Sequence, residues 1–213
     1  MKRLLLISAL LMGVSVTFAQ DIAVYFDIIP EEQLLQIDAN RRKDMIDMKK
    51  AGQPASFANR LGGTSEMTDL TENYLKIRIS DNSSFEMKLL PLQDGENVLA
   101  VVKTTCAPAC DSEISFFTPT WERLPLKRFL QLPNRMDFAA EGVDLSDGVI
   151  RETFGAVDMD LIKLSLSPVT NELSATYEVA AYLPDEYYKS LVPFLRTQPL
   201  HYLWQDGKYV LSK

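Results

Sequence analysis

The strongest constraint on the fold is an alternation of apolar and polar residues that begins at Tyr74. Leu75, Ile77 and Ile79 occupy every second position, and polar residues separate them. A period of two places successive side chains on opposite faces of a strand, so this segment predicts a β-strand with one buried and one wet face. Three more strand-like segments follow, at 85–89, 98–102 and 114–117. The simplest prediction is a four-strand antiparallel meander, with the doubly apolar strand at 98–102 in a central position.

Two hairpins are predicted in the C-terminal third of the chain. The first pairs a strand at 162–166 with one at 173–181. The second pairs 200–205 with 209–211 across Asp206-Gly207, a two-residue turn type whose twist matches that of the strands it joins.

Helices are predicted on both sides of these strands. After a strand-like apolar opening at 22–29, a helical segment extends from Pro30 to Lys50, with a possible interruption at Asp38. Arg42, within this segment, is expected to lie in water.

A second short helix is predicted from Pro184 to Leu191, where the following Pro193 ends it. A third is predicted near 126–130, but residues 121–155 otherwise lack a period and suggest an irregular connection or a functional loop. The predicted class is therefore α+β: antiparallel β-meanders and hairpins, with an N-terminal helical segment and a short helix before the C-terminal hairpin.

Residues 1–19 have the three parts of a cleavable secretory signal peptide. Lys2 and Arg3 give a positive start, an apolar run follows, and small residues up to Ala19 suit cleavage after Ala19 or Gln20. The apolar run is too interrupted for a membrane anchor, which needs about 20 predominantly apolar residues. The sequence thus predicts an exported protein, periplasmic or secreted.

Residues 20–213 are predicted to form a single globular α+β domain. We expect no lipid anchor, because no cysteine lies near the cleavage point, and no stable membrane insertion after cleavage. Loss of Lys2 and Arg3 with the leader leaves 20 basic against 29 acidic residues, a net charge of about −9. Such a charge disfavours nucleic-acid partners.

Cys106 and Cys110 are the only cysteines. In an oxidising compartment a close pair is more often bridged than free, so a disulfide across a tight loop is the favoured interpretation. Two free thiols remain the alternative interpretation, because so short a loop demands a specific backbone geometry before the sulfurs can meet. A metal site would need two further soft ligands, which the sequence lacks.

Three acidic residues in the aperiodic region, Glu141, Asp144 and Asp147, form a candidate binding loop. A solvated loop is the competing interpretation. The stretch lacks the alternating ligand positions and the closing glutamate of an EF-hand, so the sequence predicts neither a metal nor a cofactor. Aromatic residues near the C-terminus, Tyr202, Trp204 and Tyr209 among them, belong either to a recognition surface or to the core.

Asp158 and Asp160 are the candidates for an alternative function, an envelope hydrolase that works through carboxylates. His201 is the only histidine, which excludes a multi-histidine zinc site, and its place in a predicted strand makes it a poor catalytic base. No catalytic residue is assigned, and an enzyme is the less favoured interpretation.

Three stretches remain distinctive: Asn40–Asp47, Asn59–Ser65 and Asp111–Trp121. Together they resemble a family of exported Bacteroides-type bacterial proteins, known as domain of unknown function family 3256. The resemblance covers most of the chain after the leader and implies export and a single domain. The family has no known catalytic or binding residue, so none is carried over.

The leading functional hypothesis is a periplasmic or secreted binding or interaction module. In this hypothesis an exposed sheet face or the acidic loop contacts an envelope protein, a peptide or a glycan. The lack of any catalytic motif is what motivates it.

Overall fold

Two antiparallel β-sheets and five short helices make up the structure, a computed structural model that describes residues 21–212. The predicted signal peptide, residues 1–19, lies outside the described residues. The predicted α+β class is confirmed. None of the helices in the described part combines the length and the apolarity that a membrane crossing needs.

The larger sheet has seven strands, and its order follows the chain from β1 to β7 with every neighbour antiparallel. Its strands are β1 (Ala55–Ala58), β2 (Thr64–Leu70), β3 (Tyr74–Ser80), β4 (Ser83–Pro91), β5 (Asn97–Cys106), β6 (Cys110–Phe117) and β7 (Arg123–Leu124). The predicted meander corresponds to β3 to β6, and the predicted central strand is confirmed because β5 is buried on both faces. The sequence did not indicate β1, β2 or β7.

The smaller sheet has four strands in the order β11-β10-β9-β8. They are β8 (Ile162–Leu166), β9 (Leu173–Tyr177), β10 (Leu200–Gln205) and β11 (Lys208–Leu211). Asp206 and Gly207 join the last two with positive φ angles of 51° and 75°, as a tight hairpin turn requires. The predicted strand to residue 181 is too long, because Val179–Ala181 form a 3₁₀ turn.

The helices are α1 (Ile22–Asp27), α2 (Ala39–Lys50), α3 (Leu126–Phe129), α4 (Gly148–Gly155) and α5 (Asp185–Leu191). Single 3₁₀ turns lie at Glu31–Gln33, Arg135–Phe138, Val179–Ala181 and Val192–Phe194. The predictions of α3 and of α5 are confirmed. The helical prediction from Pro30 to Lys50 is confirmed for α2, which starts where Asp38 caps it by accepting the Arg41 N–H at 3.0 Å.

Two sequence predictions near the N-terminus are wrong. Residues 22–27 of the predicted strand are helix α1, in which Ile22 and Phe26, four positions apart, are both fully buried. Arg42 is not in water but only 6% exposed, since its guanidinium donates a 3.0 Å hydrogen bond to the Ile37 carbonyl oxygen. This hydrogen bond offsets part of the cost of burying the guanidinium, whose Nε has no hydrogen-bond partner among the described residues.

The larger sheet is the middle of three layers. Helices α1 and α2 cover one face, where Phe26 and Met45 pack with Phe85 and other residues of the strands. The smaller sheet covers part of the opposite face, where Leu164 packs with Phe116 and its neighbours. A separate apolar cluster joins α4 to α5. This arrangement leaves the outer strand of the smaller sheet, β11, at the surface beside the segment that contains α3.

Candidate functional site

A cleft of about 430 Å³ lies beside β11. The smaller sheet supplies one side of the cleft, with Tyr202 and the four residues of β11. The chain from Lys127 to Pro133, which includes the end of α3, supplies the other side together with Asp137. We treat this cleft as the candidate site because a free strand edge, exposed apolar side chains and a group of cations meet there.

The hydrogen-bonding pattern of the last hairpin determines which groups of β11 face the cleft. Gln205 and Lys208 flank the two-residue turn, so they form the first hydrogen-bonded pair, and bonded and non-bonded pairs alternate from there. If bonded and non-bonded pairs alternate from this point, His201 and Ser212 must also be a bonded pair. The Ser212 N–H does donate a 2.7 Å hydrogen bond to the His201 carbonyl oxygen.

It follows that the main-chain groups of Tyr209 and Leu211 point away from β10. β11 is the last strand in the order of its sheet, and within residues 21–212 no other strand pairs with this edge. Two N–H groups and two carbonyl groups of this strand, which lines the cleft, thus have no strand partner within the described residues, and an unpaired edge of this kind is a template for a further strand.

Aromatic and aliphatic side chains form the buried wall of the cleft. Tyr202, Tyr209, Phe129 and Leu130 are all at least 95% buried. The Phe129 ring stacks on Phe116 with centroids 4.8 Å apart, so this wall is anchored in the core between the sheets. Burial, together with the nearby Asp137 carboxylate, raises the pKa of Tyr202 to about 12, and its hydroxyl is therefore neutral at physiological pH.

Three larger apolar side chains line the cleft and remain substantially exposed. Leu132, Val210 and Leu211 expose 47%, 38% and 43% of their surface. Single exposed apolar residues are ordinary, but three that line one cleft form a patch that a ligand can bury.

The charge around the cleft is opposite to that of the whole chain. Lys127, Arg128 and Lys208 line it and are exposed, whereas the full sequence carries a net charge of −7. The Arg128 guanidinium lies 5.0 Å from the centroid of the Phe129 ring, which holds this cation at the wall of the cleft.

Asp137 is the carboxylate in the lining of the cleft. It accepts hydrogen bonds from the Asn134 N–H at 2.8 Å and from the Asn134 side-chain amide at 2.9 Å. Its hydrogen bonds therefore stabilise the adjacent 3₁₀ turn. The three cations in the lining outnumber this one carboxylate.

The cysteine pair lies at the tip of the β5–β6 hairpin. Cys106 and Cys110 are joined by a disulfide with a Sγ–Sγ distance of 2.03 Å. Neither cysteine lines the cleft.

The acidic loop uses two of its three carboxylates for its own conformation. Asp147 caps α4 and accepts the N–H groups of Val149 and Ile150 at 2.8 and 3.1 Å. Asp144 accepts the hydroxyl and the N–H of Ser146, and these hydrogen bonds lower the pKa of Asp144. Glu141 is exposed. Within the aperiodic region 121–155, the prediction of irregular structure is wrong for helix α4 and for the two-residue strand β7.

No group of three or more potential metal ligands occurs in the described part of the chain.

The carboxylates considered for a hydrolase also have partners. Asp160 forms an ion pair with Arg135 at 2.6 Å, and Asp158 lies 3.5 Å from the Tyr182 hydroxyl. His201 is exposed on β10. None of the three lines the cleft.

Sequence reasoning identified only part of this site. Tyr202 and Tyr209 were candidates for an aromatic recognition surface, and both line the cleft. Lys127, Arg128 and Lys208 were not singled out, because the first two lie far from the third in the sequence and no local pattern connects them. The only available signal was the hairpin turn, which places β11 beside β10 but does not reveal that its other edge is free.

The comparisons with known proteins identify a family and a related structure. Residues 14–209 match the model of a family described as protein of unknown function (DUF3256). A solved structure of a domain of an uncharacterized protein from Porphyromonas gingivalis W83 is similar with a TM-score of 0.78 and 28% sequence identity, over 90% of this chain and 97% of that chain. No curated protein matches the chain. These findings confirm the resemblance that the three sequence stretches indicated, and they assign no activity.

Proposed function

Since the chain belongs to the DUF3256 family, whose function is unknown, we propose its role from the site alone: it is a module that binds an extended polypeptide segment beside β11. The observation that carries this proposal is the unpaired edge of β11 at the cleft. A peptide that lies along this edge becomes a fifth strand of the smaller sheet.

Main-chain hydrogen bonds supply the first part of the binding. The N–H and carbonyl groups of Tyr209 and Leu211 match the groups of an incoming strand, as in other cases of strand addition to an exposed sheet edge. These bonds do not depend on the sequence of the ligand, so they provide affinity and leave specificity to the side chains.

Apolar contact supplies the second part. Leu132, Val210 and Leu211 are exposed in the free protein, and a strand in the cleft covers them. The burial of apolar surface stabilises a complex by about 25 cal/mol per Å² before the entropic costs of association are subtracted.

We propose that this module works outside the cytoplasm. The leader at residues 1–19 and the bridged cysteine pair support export to an oxidising compartment. N-terminal sequencing of the protein from the producing cell tests the proposal: a first residue at Gln20 or Asp21 is expected, and an intact Met1 contradicts it.

We also propose that residues 20–213 unfold as one domain. A single cooperative transition in urea, coincident by far-UV and near-UV circular dichroism, is the expected result. Two resolved transitions would contradict it.

A matched pair of substitutions at Leu211 tests strand addition. Leu211→Pro removes the N–H that points to the cleft but none of the hydrogen bonds between β10 and β11, and proline is tolerated at such an edge position. Leu211→Ala keeps the N–H and removes most of the side chain. The probe is the set of peptides that a displayed random heptapeptide library yields on the wild-type protein, with affinities measured by isothermal titration calorimetry.

We expect the selected peptides to bind Leu211→Ala more weakly than wild type, and to bind Leu211→Pro at least about tenfold more weakly still, since both the hydrogen bond and the approach of the strand are lost. Urea midpoints close to wild type establish that both variants are folded. The proposal is wrong if the library yields no binder, or if Leu211→Pro binds the selected peptides as well as the wild type does.

A further inference from the structure

We infer that the segment bound beside β11 alternates apolar with acidic side chains, with a carboxylate opposite Lys208 and with the positive charge of the cleft favouring acidic residues. This inference rests on the proposed function and adds the chemical class of the ligand. It is argued from the side-chain directions of β11, from the charges of the cleft and from the poor fit of a second copy of the chain.

The first step is the direction of the ligand's side chains. Residues directly opposite each other on paired strands point to the same face of the sheet. Ligand residues opposite Tyr209 and Leu211 therefore turn to the face on which Tyr209 is buried, beside the aromatic wall. Apolar side chains fit there, because a polar group would lose its water without gaining a partner.

The second step concerns the intervening residues of the ligand. They lie opposite Lys208 and Val210, whose side chains are exposed on the other face of β11. Oppositely charged cross-strand pairs are favourable and like-charged pairs are not, so a carboxylate is the favoured partner of Lys208. The four residues of β11 allow a paired segment of about four residues.

The third step is the charge of the opposite wall. Lys127 and Arg128 line it, and Arg128 is held against the Phe129 ring. At physiological ionic strength, charges farther away than about 8 Å are largely screened. The cations of the cleft therefore outweigh the net charge of −7 that is spread over the whole chain.

A second copy of this chain is a poor occupant of the cleft. Pairing of two β11 edges would bring Lys208, Lys127 and Arg128 of one copy towards the same three cations of the other. Like charges held together in this way oppose association.

Three blocked synthetic heptapeptides test the inference. Valine alternates with glutamate in the first, with glutamine in the second and with lysine in the third. Affinities are measured for the wild type and for three variants: Lys127→Gln combined with Lys208→Gln, Leu211→Pro, and Lys163→Gln as a control. Lys163 is an exposed lysine on β8 that does not line the cleft, so Lys163→Gln removes one positive charge, half the change of the double variant, without touching the site.

We expect the glutamate peptide to bind the wild type about tenfold more tightly than the glutamine peptide, and the lysine peptide to bind weakest. The double lysine variant should lose most of this preference, and Lys163→Gln should keep it. About 1 M salt should also reduce the preference, because the screening length falls to about 3 Å.

The outcomes separate the two proposals. Equal affinities for the glutamate and glutamine peptides, with both abolished by Leu211→Pro, overturn the acidic preference and leave strand addition in place. The same holds if library peptides bind at β11 but the glutamate peptide does not. Binding that Leu211→Pro does not affect overturns strand addition itself. A dimer seen by analytical ultracentrifugation in the wild type and absent in Leu211→Pro identifies a second copy as the occupant and overturns the inference.

Discussion

The carboxylate of Glu86, in β4 of the larger sheet, accepts a hydrogen bond from the main-chain N–H of Leu166, in β8 of the smaller sheet, at 2.9 Å. Glu86 also forms an ion pair with Lys76 at 3.1 Å, and its side chain is only 3% exposed. The buried Glu86 carboxylate is therefore the hydrogen-bond acceptor for a main-chain N–H of β8, an edge strand of the smaller sheet.

Two more residues of β8 are bonded in the same way. The Ile162 N–H donates to the Asp111 carboxylate at 3.2 Å, and the Leu164 N–H donates to the Ser112 hydroxyl at 3.0 Å. Side chains of the larger sheet thus close the outer edge of β8. The fold thus covers the outer edge of β8 but leaves the outer edge of β11, in the same sheet, without a partner in the described part of the chain. The proposed function requires an open edge at β11.

Removal of the Glu86 side chain should strongly destabilise the protein. Glu86→Ala leaves the Leu166 N–H and the Lys76 ammonium without their acceptor, so we expect the free energy of unfolding to fall by about 2–4 kcal/mol. Glu66→Ala is the matched control, because Glu66 forms a much more exposed ion pair with Arg78, worth about 0–1 kcal/mol. Urea denaturation measures both, and similar losses in the two variants would contradict the structural role of Glu86.

Removal of the Tyr209 hydroxyl should not destabilise the protein. This hydroxyl is buried, and it has no hydrogen-bond partner in the described part of the chain. An unsatisfied buried polar group costs about 1–3 kcal/mol, so Tyr209→Phe should raise the free energy of unfolding by roughly 1 kcal/mol. A fall of similar size in urea denaturation would show that the hydroxyl has a partner.

Alkaline pH should destabilise the protein through its buried tyrosines. Burial raises the pKa of Tyr177 and of Tyr202 to about 12 from the usual tyrosine value of 10.0. Between pH 10 and 12 the unfolded chain releases phenolic protons that the folded chain retains. Their stabilising contribution is complete below pH 10 and is lost as the pH rises through about 12.

Urea midpoints at a series of pH values from 9 to about 11.5 measure this loss. Tyr202→Phe should show a shallower decline than the wild type, because one of the shifted groups is gone. Tyr187→Phe is the control, since Tyr187 is 61% exposed, and it should follow the wild type. A Tyr202→Phe decline as steep as that of the wild type would refute the assignment.

Loss of the disulfide should cost moderate stability. The bridge spans a sequence separation of four residues, and closure of so small a ring in the unfolded chain corresponds to about 2 kcal/mol. Replacement of both Cys106 and Cys110 by serine should lower the free energy of unfolding by that amount, and reduced wild type should match the variant. Two free thiols in the denatured, unreduced protein would contradict the bridge.

Local patterns in the sequence predicted the elements that depend on local chemistry. Asp206-Gly207 identified the last hairpin because such a turn needs positive φ angles. Pro184 and Pro193 bracketed α5 for a similar reason, because proline is restricted in its helical positions. Asp38 was predicted only as an interruption of a helix that begins at Pro30, whereas its side chain caps the start of α2.

The remaining elements depend on contacts that the sequence does not reveal. The apolar run of α1 fits a strand or a helix equally well, and packing of Ile22 and Phe26 against the larger sheet decides between them. Arg42 is buried where its guanidinium donates hydrogen bonds to the main-chain carbonyl oxygens of Ile37 and Asp27, a contact that no local sequence pattern indicates.

The cleft was not predictable for the same reason. Its existence depends on β11 being the last strand of its sheet and on α3 lying alongside, and both are properties of the assembled sheet order. Residue patterns identify strands and turns but not which edge of a sheet stays open.

The order of the larger sheet also has a consequence for folding speed. Each of its seven strands pairs with the strand that precedes or follows it in the chain. The sheet can therefore grow one hairpin at a time, and each step closes only a short loop, which has a small entropic cost. Such low contact order favours fast folding for a sheet of this size. Synthesis from the N-terminus also presents each new strand of this sheet to an edge that is already in place.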